Sequence, residues 1–117
     1  MEVLNHHIYE YKKGLRNLVL HTMSSEYLEQ VENRLQKQNI EYLIQHISPK
    51  KINVFFGKKE CVTIINSFNK KSLSQLSNEE DFMLGIMLGY DRIQQCERFL
   101  SRTNSNANLF CKQKIFV

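Results

Sequence analysis

The sequence predicts an α+β fold: a three-stranded antiparallel sheet, part of a ferredoxin-like split βαβ unit, with about five helices including a long C-terminal one. Three observations predict it. The stretch from Ser77 to Arg102 keeps helical spacing throughout, and its middle, Phe82 to Tyr90, is apolar on nearly every face. Three short runs, Asn17 to Met23, Ile40 to Ile47 and Lys51 to Gly57, have the length and β-rich composition of strands. Between the first two runs lies an amphipathic helix, so that strands and helices interleave.

Taken in order, Asn5 to Arg16 places Ile8, Tyr11 and Leu15 at helical spacing and is stopped by Gly14. The run NLVLHTM is too short for a helix and suits a buried strand. Ser24 or Ser25 then caps SSEYLEQVENRLQKQN, whose buried stripe is Leu28, Val31 and Leu35. Glu26 and Glu29 crowd its first turns, Arg34 and Lys37 its last, as the helix dipole favours, and Asn39 is its stop. Ile40 to Ile47 alternates Tyr42, Ile44 and His46 against Leu43, Gln45 and Ile47, and Ser48-Pro49 punctuates a hairpin into KINVFFG. Lys58 to Phe68 carries β-branched residues at Val62 to Ile65, yet Cys61, Ile64 or Ile65, and Phe68 recur at helical spacing, and helix is the reading taken. One further turn falls at Ser72 to Gln75. Right-handed crossover puts Ile52–Phe56 between the other strands, antiparallel to both, and leaves an apolar edge at Leu18–Thr22 without a fourth strand.

Length and composition fit one globular domain spanning residues 1–117, with a core at about 5–102, a polar linker TNSNAN at 103–108 and an apolar tail LFCKQKIFV at 109–117. The tail is expected as a late strand on the open edge or as an arm on a partner subunit. With no apolar leader and no apolar run of roughly 18 residues, the chain reads as cytoplasmic, with no membrane association. Cys61, Cys96 and Cys111 are odd in number and widely spaced, which argues against a disulfide framework and a zinc knuckle. A formal charge of +4 tilts association toward acidic partners. Nucleic acid is disfavoured, because the aromatic-basic interleaving of a single-strand platform is lacking.

Within the long helical stretch, Ser77 and Glu80 form a capping-box pattern, with Glu79 and Asp81 also at the positive end of the dipole. Gly85 and Gly89 lie one turn apart and admit a close backbone, either a dimer seam with Met83, Ile86, Met87 and Tyr90, or close packing on the chain's own sheet. Asp91, Arg92, Glu97 and Arg98 read as pairs on a solvated face. The catalytic signs are few. The four glycines are scattered, with no phosphate loop and no GxSxG elbow, so no enzymatic activity is expected. His6, His7, His21 and His46 have no metal-ligand spacing, and His21 and His46 read as packed sheet residues. Cys96 lies beside Arg92 and Arg98 but reads first as a small buried hydrophobe. No cofactor or metal is implied.

The segments HHIYEYKKGLRNLVLHT and EEDFMLGIMLGYDRIQQCERFL resemble the bacterial family catalogued as domain of unknown function number two thousand and twenty-three, from about His6 to about Leu100. The resemblance implies a protein of about this length with three strands and five helices, forming a homodimer, supports helix over strand for Lys58–Phe68, and associates the chain with genes for flavodoxins. It assigns no catalytic residues. The expected function is therefore a homodimeric protein-interaction or regulatory module. One alternative is an adaptor for an acidic redox protein such as a flavodoxin, docked on Lys12, Lys13, Arg16, Lys50, Lys51, Lys58 and Lys59. Another is a small-ligand or metal-binding domain with its site at a dimer cleft near Tyr9, Tyr11, His21 and His46.

Overall fold

The computed structural model describes residues 1–103. The apolar tail, and all of the polar linker beyond Thr103, lie outside the described residues. The elements run α1 (Glu2–Lys12), β1 (Leu18–Ser24), α2 (Leu28–Lys37), β2 (Glu41–Ser48), β3 (Lys51–Gly57), α3 (Lys59–Phe68), α4 (Asn78–Met87) and α5 (Arg92–Thr103). Short 3-10 turns occupy Ser25–Tyr27 and Leu73–Gln75. The expected α+β class holds, with five helices and one three-stranded antiparallel sheet of order β1-β3-β2.

Central β3 explains the layering. Successive side chains on a strand point to opposite faces, so one apolar run can serve two cores. Ile52, Val54 and Phe56 join Val19 of β1 beneath Leu4 and Ile8 of α1 and Val31 and Leu35 of α2. On the other face Phe55 and Leu18 meet Val62 and Ile65 of α3 and Leu84 and Leu88 of α4. Phe55 and Phe56 are essentially fully buried, and truncating either to alanine would remove about 3–5 kcal/mol. The strand order is that of a split βαβ unit, but α3 crosses to the face opposite α2, whereas a ferredoxin-like unit keeps both helices on one side. On β1, Val19 faces α1 and α2 while Leu18 faces α3 and α4, and among the described residues the strand's outer edge pairs with no strand.

The helix stops follow local chemistry. Asn39, at φ 55°, ends α2 in a Schellman turn, with Ile40 N donating to Leu35 O at 3.0 Å and Asn39 N to Gln36 O at 3.1 Å. In α1, which starts earlier than its periodicity suggested, Leu4 takes the buried position expected of Leu15, and Leu15 is left 69 % exposed.

The stretch Ser77 to Arg102 is not one helix. It opens with the expected capping box, Glu80 N donating to Ser77 Oγ at 3.1 Å and Ser77 N to Glu80 Oε1 at 2.9 Å. It then breaks: Tyr90 N donates to Gly85 O, Gly89 N donates to Ile86 O, and Gly89 adopts φ +84°. This second Schellman turn is followed at once by a new cap, Gln94 N donating to Asp91 Oδ2 at 2.9 Å. The chain therefore folds back as an α4–α5 hairpin, and α5 supplies the C-terminal helix. The count of five helices comes from this break, since Leu73–Gln75 is only a 3-10 turn.

Gly57 closes β3 at φ +149°, and a Cβ there would run into the backbone of Asn17 and Leu18. At this point Lys58 N donates to Asn17 O at 2.8 Å, so neither strand end can turn aside. Gly57→Ala is expected to cost roughly 2–4 kcal/mol. The check is urea unfolding, read as a lower midpoint at unchanged slope; a loss below about 0.5 kcal/mol would contradict the close approach.

Candidate functional site

The α4–α5 hairpin carries the most exposed apolar surface among the described residues. Met83, Tyr90, Ile93 and Leu100 are 40, 53, 67 and 37 % exposed, and Leu15 lies beside Tyr90 across a shallow groove. Helical geometry puts Ile93, Cys96 and Leu100 on one stripe of α5, and Phe82 and Ile86 on the neighbouring side of α4. The Phe82 and Phe99 rings, 5.7 Å apart and edge on, join the two helices along that side. Ion pairs add to that aromatic contact in holding the hairpin closed. Asp81 accepts from Arg98 Nε and Nη2 at 2.9 and 3.2 Å and pairs with Arg102 Nη1 at 2.9 Å. The Arg98 hydrogen bond, opposed by partial burial and aided by both arginine charges, holds the Asp81 carboxyl below the usual carboxylate range. Arg98 thus pairs across the hairpin rather than with a neighbour one turn away on its own helix, because the fold-back brings Asp81 to it.

The residues expected at a dimer seam divide between two environments. Met83 and Tyr90 are exposed, and Ile86 and Met87 half-buried. Gly85 is buried, and a Cβ there would overlap the Gln95 amide, so its space is filled by this chain's own α5. Gly89 serves the turn and has open space beside its Cα. The pair thus do not lie along one continuous helix face. Helical spacing across Ser77 to Arg102 puts Ile93 and Leu100 on one face with Phe82, Ile86 and Tyr90; the break after Met87 divides that face between two helices, and Ile93 and Leu100 are exposed on α5. Cys96 is exposed rather than a buried hydrophobe, while Cys61 is half-buried, with burial and the Glu60 charge pushing its thiol up.

The basic residues do not form a single face. Lys12 ends α1, Lys13 and Arg16 follow it, and the backbone link between Asn17 and Lys58 brings Lys58 and Lys59 to the same end of the sheet. Lys13 Nζ lies 5.4 Å from the Tyr9 ring and Lys58 Nζ 5.9 Å from the Tyr11 ring, cation–π contacts that order both side chains. Lys50 and Lys51 lie at the other end of β3, about 20 Å away for a strand of this length.

Nor do Tyr9, Tyr11, His21 and His46 converge. Tyr9 is exposed, Tyr11 packs edge on against Phe56, and His46 is exposed on β2, two strands from His21. His21 instead lies against His7, with ring centroids 5.2 Å apart and the rings tilted by 56°. Arg16 Nη1 lies 3.3 Å from His7 Nδ1, and Glu10 sits 3.6 Å from His7, 3.7 Å from His6 and 4.0 Å from Arg16. Among the described residues no three His, Cys, Asp or Glu side chains gather as metal ligands would.

This cluster is expected to make stability depend on pH. Burial first, then the Arg16 charge, lowers the His7 pKa against a smaller opposing pull from Glu10; burial, then His7 and the amino terminus, lowers that of His21. Between the ordinary value of 6.5 and these lowered values, the unfolded chain binds protons that the folded chain refuses. Stability is therefore expected to be complete above pH 6.5 and to fall as pH drops through the lowered values. Urea midpoints measured from pH 7.5 to 5 check this: His21→Gln should flatten the decline, and an unchanged slope would remove the cluster as its source.

No helix of the described residues is long and apolar enough to cross a membrane. Comparison with curated proteins gives no match. The family model described as protein of unknown function (DUF2023) matches residues 2–102, nearly all of the described fold including the α4–α5 hairpin, and the chain belongs to that family.

Proposed function

We propose that the chain is a non-catalytic protein-interaction module that works as a homodimer inside the cell, joined through the outer face of the α4–α5 hairpin. The observation that carries this reading is the exposure of Met83 on α4, Tyr90 in the turn, and Ile93 and Leu100 on α5, in a hairpin otherwise rich in charge. Large apolar side chains exposed on one hairpin gain by being covered, and a second copy offers surface of the same chemistry. The outer edge of β1, unpaired among the described residues, supports the same reading, since an unpaired strand next to an apolar surface is a pairing site.

The experiment is the solution mass of the full chain, wild type and Ile93→Asp, by light scattering. Ile93 is 67 % exposed, so the substitution leaves the folded monomer intact. The wild type is expected at twice the chain mass of 13.9 kDa and the variant at the single mass with unchanged circular dichroism. A monomeric wild type, or a variant that stays dimeric, would overturn the seam.

The gathered cations favour one refinement. Lys12, Lys13, Arg16, Lys58 and Lys59 at one end of the sheet suit an acidic protein partner, with a flavodoxin as the representative, and Lys50 and Lys51 take no part. Binding to an acidic flavodoxin is expected to weaken steeply as salt rises from 50 to 300 mM, and Lys13→Glu with Lys59→Glu to slow association by about tenfold. Affinity indifferent to salt would rule this partner chemistry out.

A further inference from the structure

A groove separate from the hairpin's outer face lies between edge strand β2, the C-terminal half of α3, the connector after it and α4, and it encloses about 340 Å³. That is at the small end of the range of roughly 300–1,000 Å³ typical of ligand pockets. Its floor is apolar, formed by Leu43, Phe55, Ile65 and Leu84. Among the described residues its polar lining holds no carboxylate, only amides, the edge-strand His46, and Lys70 and Lys71 at the mouth.

A polar relay that core packing alone does not call for runs across the sheet and reaches one wall at Gln45. The sheet register aligns Thr22, Asn53 and Gln45 across all three strands. Thr22 Oγ1 donates to Asn53 Oδ1 at 2.6 Å, and Asn53 Nδ2 donates to Gln45 Oε1 at 2.8 Å. Asn53 is only 3 % exposed, and an amide taken out of water at that depth is destabilising unless bonded. The relay ends with Gln45 Nε2 directed at the Lys70 carbonyl, 3.5 Å away at the limit of a hydrogen bond. Because a carbonyl only accepts, the direction of the whole relay is fixed, and Gln45 presents a donor amide to the groove with spare capacity. Lys70 Nζ lies 3.8 Å from Glu80, which leaves Lys71 as the cation of the mouth with no ionic partner among the described residues.

We propose that this groove binds a small amphipathic organic anion, an aryl or branched aliphatic monocarboxylate. Its apolar end rests on Leu43, Phe55, Ile65 and Leu84, and its carboxylate accepts from Gln45 Nε2 and pairs with Lys71. The amphipathic shape follows from an apolar floor beneath a cationic mouth, and the single anionic group follows from one oriented donor beside one available cation.

The test is a two-dimensional NMR titration of the full chain with 3-phenylpropionate and with 4-methylpentanoate. The neutral analogues 3-phenylpropanamide and 3-phenylpropanol serve alongside them. At least one carboxylate is expected to saturate, shifting the Gln45 side-chain amide and the Phe55 and Ile65 signals, and to bind about tenfold or more tighter than its neutral analogues. Gln45→Glu and Lys71→Glu should each weaken binding by about tenfold, with Lys13→Glu, beyond the end of α1 and outside the groove lining, unchanged. Lys71 is exposed and makes no side-chain contact that the fold needs, so its variant reports on binding even if Gln45→Glu disturbs the relay. No saturable binding by either carboxylate, equal binding by the neutral analogues, or shifts confined to the α4–α5 outer face would overturn the proposal.

Discussion

Everything in this molecule depends on the burial of one strand on both faces. β3 lies between β1 and β2 and gives Ile52, Val54 and Phe56 to one core and Phe55 to the other. A strand buried twice needs a covering layer on each side, and that requirement places α1 and α2 on one face and α3 and α4 on the other. It also explains why α3 departs from the ferredoxin-like side: Phe55 and Leu18 would otherwise face water. Asn53, the one buried polar side chain in the strand, is tolerable only because partners flank it on both neighbouring strands.

Much of this architecture was legible in the amino acids. KINVFFG reads as a strand from its alternation and β-branched content, which suit a pleated surface, while its burial on both faces becomes visible only with the helices in place. The stops at Gly14 and Asn39 and the box at Ser77 were legible because capping is local chemistry, decided within one turn. The break after Met87 was not read, for a physical reason. Ile86, Tyr90 and Ile93 keep helical spacing across the turn, and spacing measures position along a helix but not its direction. The signal that distinguishes the two is the pair of a left-handed glycine followed two residues later by an aspartate, Gly89 and Asp91, which ends one helix and begins another.

The site residues divide along the same line. Exposed apolar positions on one helix follow from periodicity, so Met83 and Tyr90 were accessible to sequence reasoning. Arrangements set by strand register or by fold-back were not. Thr22, Asn53 and Gln45 share no local pattern and meet only because β1, β3 and β2 pair as they do. Asp81 and Arg98 are too far apart in sequence for helical spacing to relate them, and the seven cations look alike in a composition although the sheet separates them by its own length.

The ionic closure of the hairpin has a consequence for its stability. α5 gives no residue to either buried cluster and is held by Asp81, by the contact of Phe99 with Phe82, and by Gln95 resting over Gly85. Contacts of this kind stabilise an element far less than core burial does, so α5 stands as a separable cooperative unit whose opening free energy lies well below that of the sheet. Ile93 and Leu100 are mounted on that unit. Whatever covers them also secures the last helix to the domain, so that association and the completion of the fold become a single event.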